Sequence, residues 1–360
     1  MATNMRLGIL TWRNGRYIEE ITFFTHLAQE AGKLNTEVLL FAPQDQLRSG
    51  QIRALVYEKG KGWISKICNR PDIVYDRFRN MKPEAFRKFV HFRSRTPLPF
   101  LNSRLAHKWN LHRFLNTQPQ IAKWLPETAP MDSPKAALRM LSKYPMIYIK
   151  PVNGTGGKGI LSVTRKVAQH FLAVGRDHRR NKIKKSFSSL AALSSFIASW
   201  TKNSNYIVQQ GLNLQWEPGL VTDFRLLVQK NGNGSWEVTG LGGKIGGKDS
   251  ATSNLHGGGK AVKPELFLKR YLSPSKCQEV FEECHQLGLQ AAQILEGKFG
   301  RLTELGIDLG IDKEGKVWII EINNKPGRDI FHKMGDVETY RKAVRRPVEY
   351  ARYLFDNHQL

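Results

Sequence analysis

Two hydrophobic periods alternate along the chain, and each change of period marks a change of element. The opening MRLGIL is a short apolar run, EEITFFTHLAQEAGKLN carries helical spacing closed by Gly32, and TEVLLFAPQD is a second apolar run ending in turn residues. Strand, helix and strand in that order predict a parallel α/β start. PDIVYDRF, residues 71–78, reads as a further strand and KPEAFRKFVHFR as a helix, with a first boundary near Pro97 and Pro99. SRLAHKWNLHRFLNTQP is predicted helical as far as Pro119, and LPETAP is an extended break before the helix SPKAALRMLSKY.

From Met146 strands alternate with glycine-rich turns: MIYIKPV, NGTGGKG and ILSVTR form a β-ribbon rather than a βαβ unit. SSLAALSSFIASW is a helix, NYIVQQG a strand, and VTDFRLLVQ with WEVTGLGGK a hairpin across NGNG. PSKCQEVFEECHQLGLQAAQILEGK is a long amphipathic helix expected to end at Gly297, after which ELGIDLGI and KVWIIEIN are strands joined by DKEG.

Composition changes this picture mainly through charge. A hydrophobic content of 41% over 360 residues is ordinary for a soluble globular chain of two or three domains. Cys68, Cys277 and Cys284 form no C-x-x-C, so no disulfide framework is expected and a reducing cytoplasm fits. Neither a signal peptide nor a membrane span is expected, because no run approaches the roughly 20 apolar residues a span needs. The 56 Lys+Arg and 31 Asp+Glu leave a formal net charge of +25, which implies an anionic partner, either nucleic acid or an acidic substrate. The bases are spread along the chain except for RDHRRNKIKK at 176–185, read as a solvated loop or helix face in preference to a dedicated binding tail.

Three stretches carry candidate chemistry. Gly154, Gly156 and Gly159 match G-x-G-x-x-G, but that dinucleotide fingerprint must open a helix and ILSV follows instead. The loop G-x-x-x-x-G-K-[ST] fails too, because Gly159 follows Lys158. What remains is a hairpin tip, either plain or able to bring backbone N–H groups to phosphate oxygens, with Lys150 leading in as a point charge. In GIDLGIDKEGKVWIIEIN, a two- or four-residue turn pairs Asp308 with Ile319 and gathers Asp308, Glu321 and Asn323 on one face. A three- or five-residue turn would flip the parity. Val317 and Ile319 are read as sharing that face, which leaves a solvated hairpin edge or a cation site. Hard oxygen donors without His or Cys point to Mg²⁺, with Mn²⁺ as the alternative. In TDFRLLV, Arg225 suits a carboxylate or a transferring phosphoryl group, or is a plain salt-bridge partner of an acid such as Asp223. His256 in ATSNLHGGGKA is either a general base or an incidental loop residue, while Cys277 and Cys284 read as packed core.

In this order the pieces resemble the ATP-grasp superfamily from about residue 104 to 328: KPVNGTGGKGI, IVQQGLNL, TDFR, SNLHGGG, GIDLGI and IIEINNKPG. DIVYDRF, FLNSRLAHKWNLHRFL, LPET and EINNKPGRDIF are similar, more narrowly, to the YheC/YheD group of that superfamily, associated with bacterial endospores. The resemblance implies an α/β and α+β fold: a Rossmann-like N-terminal domain over 1–96, a two-lobed ATP-grasp domain over 97–345, and a tail over 346–360. Within the second domain, a flap lobe covers about 146–208 and a metal-binding lobe 209–345. It implies an ATP- and Mg²⁺-dependent ligase that joins an anionic carboxylate to an amine or similar nucleophile through an acyl phosphate. Lys108, Lys150, Gly154, Thr155, Gly156 and Gly157 would then face the phosphates, and the backbone of Gln209, Gln210, Gly211 and Leu212 the adenine. Asp308, Glu321 and Asn323 would hold the metal, and Arg225 would steady the transition state with Lys244 and Asn254. Lys244 stands where similar ligases carry an arginine upstream of SNLH, and Glu217 is the nearest candidate for an acid on the ribose. The alternatives are a nucleotide-binding spore protein without turnover and a nucleic-acid-associated basic protein.

Overall fold

Met5–Leu10, Thr36–Phe41 and Ile73–Asp76 run parallel in the first sheet, and the helix Ile21–Gly32 makes the first crossover, as the strand–helix–strand pattern predicts. The structure, a computed structural model, describes residues 4–14, 17–47, 50–79, 82–152, 158–167, 170–202, 204–247 and 259–360. Two further strands, Ile52–Glu58 and Gly62–Cys68, extend this sheet as an antiparallel hairpin. The outer strand of that hairpin buries little, so it lacks the alternation that would announce it.

The second sheet is antiparallel, in the order Lys182–Phe187, Phe171–Arg176, Leu161–Arg165, Met146–Pro151, Tyr206–Gln210 and Thr128–Pro130. Helices Pro134–Lys143 and Leu190–Thr201 cover one of its faces, packing Met140, Leu141, Leu193 and Ile197 against Ile147, Ile149, Leu161 and Ala173. Part of LPETAP is therefore an edge strand rather than a break. The basic run 176–185 is likewise the tip and outer arm of a β-hairpin, not a loop or helix face. Its turn lacks glycine: Arg180 adopts φ 72°, and the Asp177 carboxylate accepts from the N–H groups of Arg179 and Asn181 at 2.9 and 2.8 Å.

The third sheet runs Lys260–Val262, Trp236–Ile245, Leu220–Lys230, Glu304–Ile311 and Val317–Asn323, with the expected hairpin across NGNG and a short strand Gln215–Glu217 beside Leu220–Lys230. The helix Pro274–Phe299 buries Val280, Leu287, Ala291 and Leu295 against it, and Cys277 and Cys284 are buried free thiols there. Ser273 caps its start, and it ends at Gly300 rather than Gly297 because Gly300 takes the left-handed φ of 81°. Residues 346–356, expected in a tail, complete the helix Val337–Asp356 instead. Its Tyr340, Val344, Val348 and Leu354 fill the same core as Leu7, Phe24 and Leu27 from the first sheet and helix. No described helix is long and apolar enough to cross a membrane.

Candidate functional site

Strand register assembles the site on the third sheet. Arg225 lies opposite Asp308 and Asp223 opposite Lys244, and directly opposed residues share a face. Arg225 donates from Nε and Nη2 to the two Asp308 oxygens at 2.8 and 2.9 Å, a bidentate pair. Lys244 Nζ stands 2.9 Å from Asp308 Oδ1 and 2.6 Å from Asp223 Oδ1. Burial opposes an ionised Asp308, yet Arg225 and Lys244 overcome it and hold the carboxyl well below the usual carboxylate range. Gly306 makes room for the pair: a Cβ there would lie 2.5 Å from Pro326 Cβ and 3.2 Å from Arg225 Nη1.

Residues 312–316 link the last two strands, an odd length that by itself would turn Glu321 away from Asp308. A β-bulge corrects this. The register shifts between Asp308 and Leu309, which leaves Ile320 without an opposite residue and pairs Asp308 with Glu321 instead of Ile319. Asp308, Glu321 and Asn323 thus share a face by a route other than the expected turn. Val317 and Ile319 do not share it, because the bulge leaves both, with Ile322, in the core on the opposite face.

A second set of groups arrives from other elements. The helix Lys108–Asn116 sets Lys108 Nζ 3.0 Å from Glu321 Oε2, and one turn on it brings His112 toward Lys150. Burial, together with the Lys150 charge, pushes the His112 imidazole down to about 4, so it is neutral. Lys150 donates to Gln209 Oε1 at 2.6 Å, and Gln209 Nε2 donates to Thr128 Oγ1 at 2.9 Å. Burial lowers the Lys150 ammonium to about 8, against the attraction of Glu321 and with the repulsion of Lys108. Gln209, expected to serve adenine through its backbone, therefore orients Lys150 through its side chain. Gln210 and Gly211 give their N–H groups to Glu127 and Met146 carbonyls at 2.8 Å each, and among the described residues the N–H of Leu212 meets no acceptor. Glu217 sits apart, with Arg270 at 3.3 Å and the Tyr271 hydroxyl at 2.7 Å.

The turn after Asn323 is clasped by the N-terminal sheet, a feature that strand patterns do not reveal. Lys325 Nζ lies 2.6 Å from Asp76 Oδ1, Arg77 Nη2 donates to Pro326 O at 3.0 Å, and Arg79 donates to Lys325 O. Beneath them the fully buried Glu304 accepts from Arg77 at 2.9 Å, from Gln229 at 2.9 Å, and from Tyr75 and Arg328. Burial lowers the Lys325 ammonium to about 8 despite Asp76. Gly154, Thr155, Gly156, Gly157, Asn254 and His256 lie outside the described residues.

The donor set suits a hard divalent cation: two carboxylates opposed on one ladder, an amide oxygen two residues on, and flanking cations that keep Asp308 ionised. Among the described residues no group of three or more His, Cys, Asp or Glu that could hold a metal ion is present.

The family model described as "YheC/D like ATP-grasp" matches residues 97–354. The endospore coat-associated protein YheD of Bacillus subtilis is 34% identical over 323 residues, 87% of this chain and 69% of YheD. YheC of the same organism, also named endospore coat-associated, is 27% identical over 351 residues, 93% of each chain. Among solved structures, the ATP-grasp ligase PsnB, complexed with a phosphomimetic variant of a minimal precursor, Mg and ADP, superposes with a TM-score of 0.53 at 12% identity. That match covers 96% of this chain and 99% of PsnB, and the likeness is one of fold.

Proposed function

The chain belongs to the YheC/D-like ATP-grasp family, and on that premise we propose that it is an ATP-dependent ligase that joins a carboxylate to an amine or similar nucleophile. The observation that carries this reading is the meeting, on one sheet face, of the opposed carboxylates Asp308 and Glu321 with Lys108, Arg225 and Lys244, while Lys150 feels the charge of Glu321 from the neighbouring lobe. Three carboxylates, with Asp223 on Lys244 as the third, among the four cations Lys108, Lys150, Arg225 and Lys244 suit a nucleoside triphosphate and its metal. PsnB was solved with Mg and ADP, which supports the same ligands here.

Asp308, Glu321 and Asn323 would hold Mg²⁺, which when bound neutralises phosphate charge. Lys108 and Lys150 then bind phosphate oxygens, and the amide of Gln209 keeps Lys150 aimed. The substrate carboxylate attacks the γ-phosphorus, the bond from that phosphorus to the bridging oxygen breaks, and ADP leaves with the electron pair. The nucleophile next attacks the acyl carbon, loses its proton, and inorganic phosphate departs. Arg225 and Lys244 fix the orientation of Asp308 and contribute positive charge where negative charge builds up in the transition state, which is how a preorganised site lowers such barriers.

The test is ADP release by purified protein given MgATP and a pool of acids and amines. Glu321→Gln, which alters a half-exposed carboxylate and should fold normally, is expected to weaken MgATP binding at least tenfold and to abolish ADP release. Binding and release at the level of the unaltered protein would overturn the reading. A second reading follows from the names of YheD and YheC: a spore-associated protein that binds nucleotide without turnover. It predicts tight MgATP binding with no ADP from any substrate pool.

A further inference from the structure

Residues 146–208 hold eleven Lys and Arg and a single acid, Asp177, so this stretch contributes ten of the 25 net charges. Asp177 offsets one of them and is held by the turn, where its carboxylate accepts from the backbone of Arg179 and Asn181 and from Asn181 Nδ2 at 2.8 Å. Among the described residues, no carboxylate lies within ion-pair distance of Arg176, Arg179, Arg180, Lys182, Lys184 or Lys185. Arg176 and Lys182 even stand directly opposite each other in register. Like charges so placed destabilise a hairpin, and an anion laid over them removes the cost.

The placement of these charges gives them a direction. Gln209, Tyr148, Ser162, Val174 and Lys184 form one cross-strand row, so Lys184 shares the sheet face of Gln209 and Tyr148. Lys150, Lys182 and Arg176 lie on that same face, because each is two residues along its strand from a member of the row. Ile183 and Phe187 alternate to the other side, where Phe187 packs on the helical core. Among the described residues Lys182–Phe187 is also the terminal strand of its sheet, and no strand pairs with its outer edge. A strand added there would lie four spacings from the Lys150 strand, roughly 19 Å, which about six extended residues can span. The turn is tied to the base of the flap as well: His178 hydrogen-bonds the Tyr206 hydroxyl at 2.9 Å, and its ring fills the space where a Cβ on Gly159 would stand.

We propose that Lys182–Phe187 is a docking edge for an acidic, extended polypeptide, whose carboxylate is the one activated at the nucleotide site. The proposal rests on the ligase reading and names its substrate class. Strand addition supplies main-chain hydrogen bonds, and Lys182 and Lys184, on alternate positions of one face, meet the alternate acidic side chains of the incoming strand. Among the described residues no exposed Phe, Tyr or Trp lies on this hairpin, and the exposed His178 ring is held by the Tyr206 hydroxyl, so it lacks the row of rings on which single-stranded nucleic acid stacks. Edge lysines also discourage self-pairing of sheets, but that role does not call for Arg176 facing Lys182 on the side that carries the nucleotide groups.

Anisotropy titration of the full chain with a fluorescein-labelled oligoglutamate, the same peptide N-methylated at alternate amides, and oligo-dT of equal charge tests the proposal. Oligoglutamate is expected to bind at least tenfold more tightly than either control, and to lose at least tenfold in the Lys182→Glu/Lys184→Glu variant while MgATP affinity holds. Equal binding of oligo-dT, indifference to N-methylation, or an unchanged variant would each overturn it. If MgATP binds and oligoglutamate does not, the docking edge fails and the ligase reading stands. If oligoglutamate binds in this pattern and MgATP does not, the ligase reading fails and the docking edge stands.

Discussion

Cations meet opposite fates on the second and third sheets. On the third, Arg225 has Asp308 in register and Lys244 has Asp223, whereas on the second Arg176 faces Lys182. Residue counting treats these charges alike, yet register separates them into groups that hold geometry and groups left to recruit a ligand. A paired, buried charge shows its worth when its partner is removed. An unpaired one shows it only when an anion arrives.

The comparison is most sharply tested where pairing is deepest. Replacing Glu304 by Gln leaves Arg328 without a carboxylate partner in the interior, while Arg77 keeps its pair with Glu20 at 2.6 Å, and a loss of about 3 to 5 kcal/mol in urea unfolding is expected. A loss under about 1 kcal/mol would show that buried pairing does not lock the N-terminal sheet to the third, since surface ion pairs are worth that little. Lys150 is intermediate, because its hydrogen-bond partner is a neutral amide. Its folded value of about 8 lies below that of an ordinary lysine, so the free protein begins to lose this charge as pH rises through 8. Bound phosphates favour the charged form, so binding takes up a proton above that pH. MgATP affinity should fall by up to about tenfold per pH unit from pH 8 upward and be insensitive to this group below it. Calorimetry in buffers of different ionisation enthalpy reads the uptake, and Lys150→Gln should abolish it; an unchanged pH profile in that variant would remove Lys150 from the binding site. The smallest effect lies on the hairpin, where Lys182→Ser relieves the repulsion from Arg176 and should raise stability by about 0.2 to 1 kcal/mol at low salt. Destabilisation instead would mean that the opposed cations are not repelling one another.

The parallel start, the NGNG hairpin and the long helix are legible in the sequence because their hydrophobic periods are clean. The face shared by Asp308, Glu321 and Asn323 is legible as well, but its cause is not. Alternation in VWIIEIN cannot show which residue goes unpaired, and only the register across to Asp308 identifies Ile320. The 176–185 hairpin is hidden for another reason: lysines interrupt the apolar alternation, and Arg180 occupies a turn position where glycine would have given the signal. Gln209 is singled out in the sequence only for its backbone, and its side-chain hold on Lys150 escapes notice, as His112 does altogether, because these contacts join distant segments. The clasp of Asp76, Arg77 and Arg79 on the Lys325–Pro326 turn escapes for the same reason, since a polar side chain's partner leaves no trace in local periodicity.

The helix Val337–Asp356 completes a core begun by Met5–Leu10 and Ile21–Gly32, with Phe24 and Leu27 in the same cluster as Val344 and Val348. On the ribosome those partners emerge about 300 residues apart, so at typical elongation rates the early elements wait roughly 15 to 60 s for the helix that covers them. Throughout that interval the first sheet presents an apolar surface. During synthesis, then, the N-terminal domain is among the last parts of the protein to close.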